Sequence, residues 1–210
     1  MSSKPEQRST TRPSGQSLFT QRREPYQFML YLGLGGSALV FLVFAALYTA
    51  RKGEPGWIHF NLPGAFWIST GLILASSFTL HQANRLFRSD RFTAYKWWLS
   101  ATFDLGLLFA FAQVAGWRAM LQNGIAMSKS TAGAFMYIIS GLHLLHVAAA
   151  LAFGGFMLVQ ALRRNTYVDG FVYSVNPPNQ LRLRLLTHFW HFVDGLWALL
   201  FLFFLWHQHV

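Results

Sequence analysis

Hydrophobic residues in this chain are gathered into five long blocks separated by short polar segments. The blocks run from about residue 28 to 50, 63 to 83, 95 to 117, 131 to 160 and 183 to 206. Each is long enough for a helix to cross a bilayer, which takes roughly 20 residues at a rise of about 1.5 Å per residue. A lipid interior supplies no hydrogen-bond partners, so a spanning segment must satisfy its own backbone, and a helix does that. The pattern predicts an all-α polytopic membrane protein: a bundle of five transmembrane helices within residues 26–210, preceded by a polar, loosely held tail at 1–25.

Within the blocks the polar residues are mostly small. The first block carries Gly33, Gly35, Gly36 and Ser37, which let helices approach closely in lipid, where packing drives association. The second carries Ser69, Thr70, Ser76, Ser77 and Thr79. Such hydroxyls can bond back to their own helix, so they read first as satisfied small residues at a helix contact. Gly170 and the run Asn176-Pro177-Pro178-Asn179 predict a surface loop before the last block. Trp57, Trp67, Trp97, Trp98 and Trp117 fall near block ends, where an aromatic belt would lie.

Composition changes the picture in three ways. Only 11% of residues are charged, against about 25% in soluble domains, which removes an ordinary soluble fold from consideration. Cysteine is absent, which excludes disulfides, thiolate metal sites, covalent c-type haem attachment and a cysteine-bridged copper pair. The net charge of +10 would suit nucleic acid, but its distribution points elsewhere. Thirteen of the 17 lysines and arginines lie in the tail, around Asn84–Ala94 with the adjoining Lys96, and around Ala161–Arg182 with the adjoining Arg184. The intervening segments hold the other four. This alternation is the positive-inside asymmetry, and it predicts a cytoplasmic N-terminus and a C-terminus outside. The basic excess becomes a topology signal and a contact for anionic headgroups, with no nucleic-acid partner.

That topology sorts the ionisable residues by depth. His188, His191 and Asp194 of the last block, Asp104 of the third, His146 of the fourth and His81 of the second fall in one slab. Ionisable groups at membrane depth are costly and point to partners or function. Three readings compete. Haem ligation needs imidazoles on facing helices at matching depth, whereas His143 with His146, and His188 with His191, are each spaced i,i+3 on one helix. A proton or ion path is the second. The third is cross-helix pairing that holds the bundle, with Asp194 taking the charge of His191 or His146 or bonding to Ser140.

Two segments carry a resemblance. Ser140 to Val147 reads SGLHLLHV and Phe189 to Trp197 reads FWHFVDGLW. Together they resemble the paired signatures of subunit III of haem–copper cytochrome c oxidases, spelled roughly T-G-x-H-x-x-H-V and Y-W-H-F-V-D-x-x-W. The second block, STGLILASSFTLHQA, is similar to a further family segment, and Thr102, Leu105, Gly106, Phe109, Gln113 and Trp117 fit the spacing of the third. The resemblance runs from about Phe28 to Trp206 and is to the short, five-span bacterial form. It carries over His143, His146, His191 and Asp194, with His81, Asp104, Ser140, His188 and Trp197 completing the polar layer. It implies a non-catalytic core subunit of a proton-pumping terminal oxidase in the bacterial cytoplasmic membrane. No catalytic residue, cofactor or metal ligand is expected in the chain. Haem and copper belong to the partners, catalytic subunit I and subunit II, and phospholipid is expected on this chain. A small subunit IV and a respiratory supercomplex are allowed. A quinol oxidase or a nitric-oxide-reductase-associated relative stays open, as does an independent proton-coupled transporter. Two positions depart from the family: Ala38 follows Ser37 where a Glu is usual, and Gly116 stands where Gln-x-x-Glu ends. Roles tied to those carboxylates are not carried over.

Overall fold

The computed structural model describes residues 24–52, 57, 61–164 and 166–209. The tail predicted at 1–25 lies almost entirely outside the described residues. Six helices follow one another among them: α1 Glu24–Ala50, α2 Gly64–Arg88, α3 Phe92–Gln122, α4 Thr131–Leu162, α5 Tyr167–Val175 and α6 Pro177–His209. Four of these, α1, α3, α4 and α6, are long and apolar enough to cross a membrane. The second block also forms a helix, α2, of 25 residues, but its hydroxyls and terminal arginines make it less apolar than the other four.

Local chemistry sets the helix ends. Pro63 precedes α2, and Pro177 and Pro178 open α6, positions where a missing N–H and a fixed φ cost nothing. Ser130 caps α4, its side chain accepting from the Gly133 N–H at 3.2 Å. Between α2 and α3 the chain reverses through Ser89, Asp90 and Arg91. Asp90 adopts φ 57°, a left-handed conformation that Asp tolerates better than most residues. The N–H groups of Ser89 and Arg91 then return to carbonyls of the last turn of α2. This tight reversal lays α2 and α3 side by side, the most extensive pairing in the bundle.

The loop expected around Gly170 holds a short helix, α5. It has no long apolar block because it lies against the end of the bundle: an added Cβ at Gly170 would come within 2.8 Å of the Phe92 ring. α6 runs through the middle and touches α1, α2, α4 and α5. Its Trp197 is fully buried, with ring centroids 6.1 Å from Phe66 of α2, 5.4 Å from Phe109 of α3 and 5.1 Å from His143 of α4. One indole thus joins four helices. Aromatic pairs of this kind are each worth about 0.5–1.5 kcal/mol beyond area burial. α1 rests mainly on α6 and α4 and is the least buried of the four apolar helices.

Candidate functional site

The interior polar residues form a ladder of cross-helix hydrogen bonds, and serines and threonines of α2 supply most of its rungs. Gln113 Nε2 of α3 donates to Ser69 Oγ at 2.9 Å. Trp197 Nε1 of α6 donates to Thr70 Oγ1 at 3.0 Å, and Trp190 Nε1 donates to Ser76 Oγ at 3.1 Å. The Thr79 and Thr102 hydroxyls lie 2.8 Å apart, one donating to the other. Asn84 Nδ2 donates to Thr187 Oγ1 at 2.7 Å. The expected back-bonding also holds: Ser69, Thr70, Ser76 and Thr79 each donate to a carbonyl three or four residues earlier. The hydroxyl proton is thereby given to the helix's own backbone, and the oxygen's lone pairs are left for the neighbouring helix. That second role is the part the sequence does not reveal.

His191 and Asp194 project from α6 toward α2. His191 Nδ1 lies 2.7 Å from Ser77 Oγ. Asp194 is 4% exposed; Ser76 Oγ is 3.5 Å from its Oδ2, and Ser77 also faces the carboxylate. Ser76 has one proton, and at 2.7 Å the Ile73 carbonyl is its nearer acceptor. Asp194 is therefore held more loosely than the rest of the ladder. His146 of α4 reaches the other way. Its Nδ1 lies 2.8 Å from the Leu142 carbonyl, which can only accept, so Nδ1 carries the proton and Nε2 meets Ser37 Oγ of α1 at 2.8 Å. Ser140 accepts from Trp117 Nε1 at 2.9 Å. The pairing expected of Asp194 with His191, His146 or Ser140 thus takes another form, because each of these residues has a hydroxyl or an indole nearer to hand.

The structure brings together Ser140, His143, His146, His191, Asp194 and Trp197, the first two and last two of them buried and His146 and His191 half-buried. It sets His81, Asp104 and His188 on the outer surface of the bundle. His188 gives Nδ1 to its own helix, at the Arg184 carbonyl, and meets the Tyr31 ring edge-on at 5.8 Å. His143 is the odd member. It is fully buried, neither ring nitrogen has a partner among the described residues, and Phe41, Phe109 and Trp197 surround it. An imidazole edge against aromatic faces gains only a weak N–H···π contact. Among the described residues, no three His, Asp or Glu side chains come together as a group that could hold a metal ion.

Gly116 explains itself in this setting. The Phe66 ring lies 2.8 Å from where its Cβ would be, so Phe66 occupies the space that a larger residue would need. Gln113, one turn away, keeps an unpaired Oε1 in the buried interior.

Sequence comparison fits this architecture. The family described as Cytochrome c oxidase subunit III matches residues 59–209. The chain is similar to a probable cytochrome c oxidase subunit 3 of Mycobacterium tuberculosis, 31% identical over 175 residues, covering 79% of this chain and 80% of the relative. It is 29% identical to cytochrome c oxidase subunit 3 of Corynebacterium diphtheriae, covering 76% of this chain and 77% of the relative. It is also 28% identical to a cytochrome bo(3) ubiquinol oxidase subunit 3 of Pseudomonas aeruginosa, covering 78% of this chain and 74% of the relative. With the family model matched over residues 59–209 and a relative 31% identical over 79% of the chain, the chain belongs to the cytochrome c oxidase subunit III family.

Proposed function

We propose that this chain is the non-catalytic subunit III of a proton-pumping haem–copper oxidase that reduces O₂ with electrons from cytochrome c. It lies in the bacterial cytoplasmic membrane and crosses it five times, α2 included, with the N-terminus inside and the C-terminus outside. Subunits I and II carry the haem and copper, and this chain packs permanently on subunit I, with bound phospholipid at its surface. The observation that carries the reading is the fate of the signature residues. His146, His191 and Asp194 each meet a serine of another helix, so they are placed to fix helix against helix. A bundle in lipid has no hydrophobic drive between its helices and depends on such bonds and on close packing. A rigid apolar body of this kind suits a subunit whose work is done against a partner.

The test is a tagged purification in mild detergent, with a reduced-minus-oxidised spectrum and protein identification on one sample. A large multi-span partner with a-type haem absorption is expected. The similarity to a ubiquinol oxidase subunit supports a second reading, a quinol-fed oxidase, and b- or o-type haem in the partner would select it. A lone, colourless chain would sink both and favour the transporter.

A further inference from the structure

Two acidic residues stand inside the five apolar blocks, Asp104 and Asp194. Asp194 is turned into the bundle, where it is 4% exposed and faces Ser76 and Ser77 of α2. Asp104 is turned the other way. It is exposed on the outer surface of α3 and makes no hydrogen bond or ion pair among the described residues. Its depth makes that position costly. Asp104 lies 12 residues from one end of α3 at Phe92 and 18 from the other at Gln122. At a rise of about 1.5 Å per residue it is about 18 Å and 27 Å from those ends, near the middle of a hydrocarbon core about 30 Å thick. A short carboxyl side chain cannot reach the interface from there, as a long Lys or Arg can. Lipid tails offer it no donor, and ionisable groups at this depth pair with protein.

The face around Asp104 is shaped to receive a helix. Trp97, Leu108 and Phe111 share its stripe of α3 by helical spacing and are 74%, 51% and 70% exposed. On one side of the stripe, the Trp98 ring meets Phe78 of α2 at 6.0 Å. On the other, the Phe103 ring stands 3.1 Å from the place of a Cβ on Gly155 of α4. α2 and α4 thus flank the stripe and leave it uncovered. Ser100 and Ala101, half-buried one turn before Asp104, are small, so a neighbouring helix can come close beside the carboxyl.

Charge decides what covers the stripe. A phospholipid carries its donors at the headgroup, about 15 Å away. A second copy of this chain, laid face to face across a two-fold axis, would set Asp104 against Asp104. A helix with a basic side chain at the same depth supplies the countercharge and the hydrogen bonds, and its apolar flanks pack on Leu108 and Phe111. We propose that the outer face of α3 is a docking surface for a transmembrane helix of a partner subunit that places an Arg, Lys or His opposite Asp104. The site deepens the subunit reading given above, on which it rests for the presence of a partner, by naming the face that docks and the charge that it meets.

The experiment uses the full chain in its native membrane. The photo-reactive residue p-benzoylphenylalanine replaces Leu108, one turn from Asp104, or Leu199, exposed on α6, as the comparison. After irradiation the tagged chain is purified, the cross-linked peptide is identified, and a haem spectrum is taken of the same sample. The expected adduct from position 108 is with a transmembrane segment that carries Arg, Lys or His within two helical turns of the cross-linked residue. Asp104→Leu and Asp104→Lys should each lower the affinity for that partner about tenfold or more, the scale of one lost charge-assisted bond. Asp in place of the partner's basic residue should restore binding to the Asp104→Lys chain. Thermal unfolding of the chain itself should not fall with Asp104→Leu, since no bond within the bundle is lost. Adducts from position 108 with lipid alone or with a second copy of this chain, or full recovery of the partner with Asp104→Leu, would overturn the proposal. The two readings fail separately. A haem-free partner cross-linked at position 108 would sink the oxidase and leave this face standing, whereas a haem-bearing partner reached from position 199 alone would do the reverse.

Discussion

Gly116 shows how a single position can record a choice made elsewhere. The Phe66 ring stands 2.8 Å from the place of a Cβ there, closer than real side chains approach. The ring is fully buried and stacked at 6.1 Å on Trp197, so it has little room to yield. Gly116→Ala should therefore destabilise the subunit by about 1–3 kcal/mol through overpacking. Phe66→Leu in the same chain should restore part of the loss, because the two sites compete for one volume and their effects cannot be additive. Thermal unfolding of the four members of the cycle measures the coupling; a Gly116→Ala chain as stable as the parent would remove the steric account. The sequence displays the missing carboxylate at this position, yet Phe66, 50 residues earlier, is what fills the space. The same limit applies to the ionisable residues. Spacing put His143 with His146, and His188 with His191, on common helix faces, but it does not say which helix each face meets. His191 found Ser77, His146 found Ser37, His143 found aromatic rings, and His188 stayed on the surface.

Elements were far more legible than partners. The blocks at 28–50, 63–83, 95–117, 131–160 and 183–206 lie within α1, α2, α3, α4 and α6 apart from an end residue, because bilayer thickness imposes a length that hydropathy alone reveals. The helices run past the blocks at several ends. Arg85, Arg88 and Arg182 continue α2 and α6 with polar residues that hydropathy leaves out. α5 escaped because nine residues around a glycine carry neither the length nor the apolar run of a span. α1 is the element whose attachment is most open to test. It is tied to the bundle through Ser37 on His146, through Phe41 against the His143 and His146 rings, and through Tyr48. The Tyr48 ring meets Trp57, Phe135, Phe203, Phe204 and His207, all within 6.0 Å of its centroid. Tyr48→Ala should cost about 3–5 kcal/mol by the measure of buried aromatic truncations. Ser37→Ala should add about 1 kcal/mol for one hydrogen bond. The expected readout is local: faster hydrogen exchange along residues 24–50 in the double variant, with α2 and α3 still protected. Uniform loss of protection across all helices would mean that α1 is part of the folding core rather than an arm laid on it.

The whole molecule turns on whether α2 crosses the membrane, since its crossing decides on which side every later segment lies. Its apolar content is lower than that of its neighbours, but its hydroxyls are bonded to its own backbone and to α3 and α6, so few polar groups reach lipid unsatisfied. α2 also lies along α3 in the most extensive contact of the bundle, joined by a reversal of only three residues, Ser89 to Arg91. An antiparallel partner so short a turn away from α3 is expected to run through the same slab as α3 does. The absence of cysteine makes the test clean, because each introduced thiol is the only one in the chain. Single cysteines at Ala50, Ser89, Asn123 and Arg163, all exposed, mark the turns between helices. In oriented vesicles a membrane-impermeant thiol reagent should reach Ser89→Cys and Arg163→Cys from the cytoplasmic side. Ala50→Cys and Asn123→Cys should react from the opposite side. Thirteen basic residues would then sit where the positive-inside rule puts them. Labelling of Ala50→Cys and Ser89→Cys from one side would mean that α2 lies along the membrane surface, and the chain would cross four times.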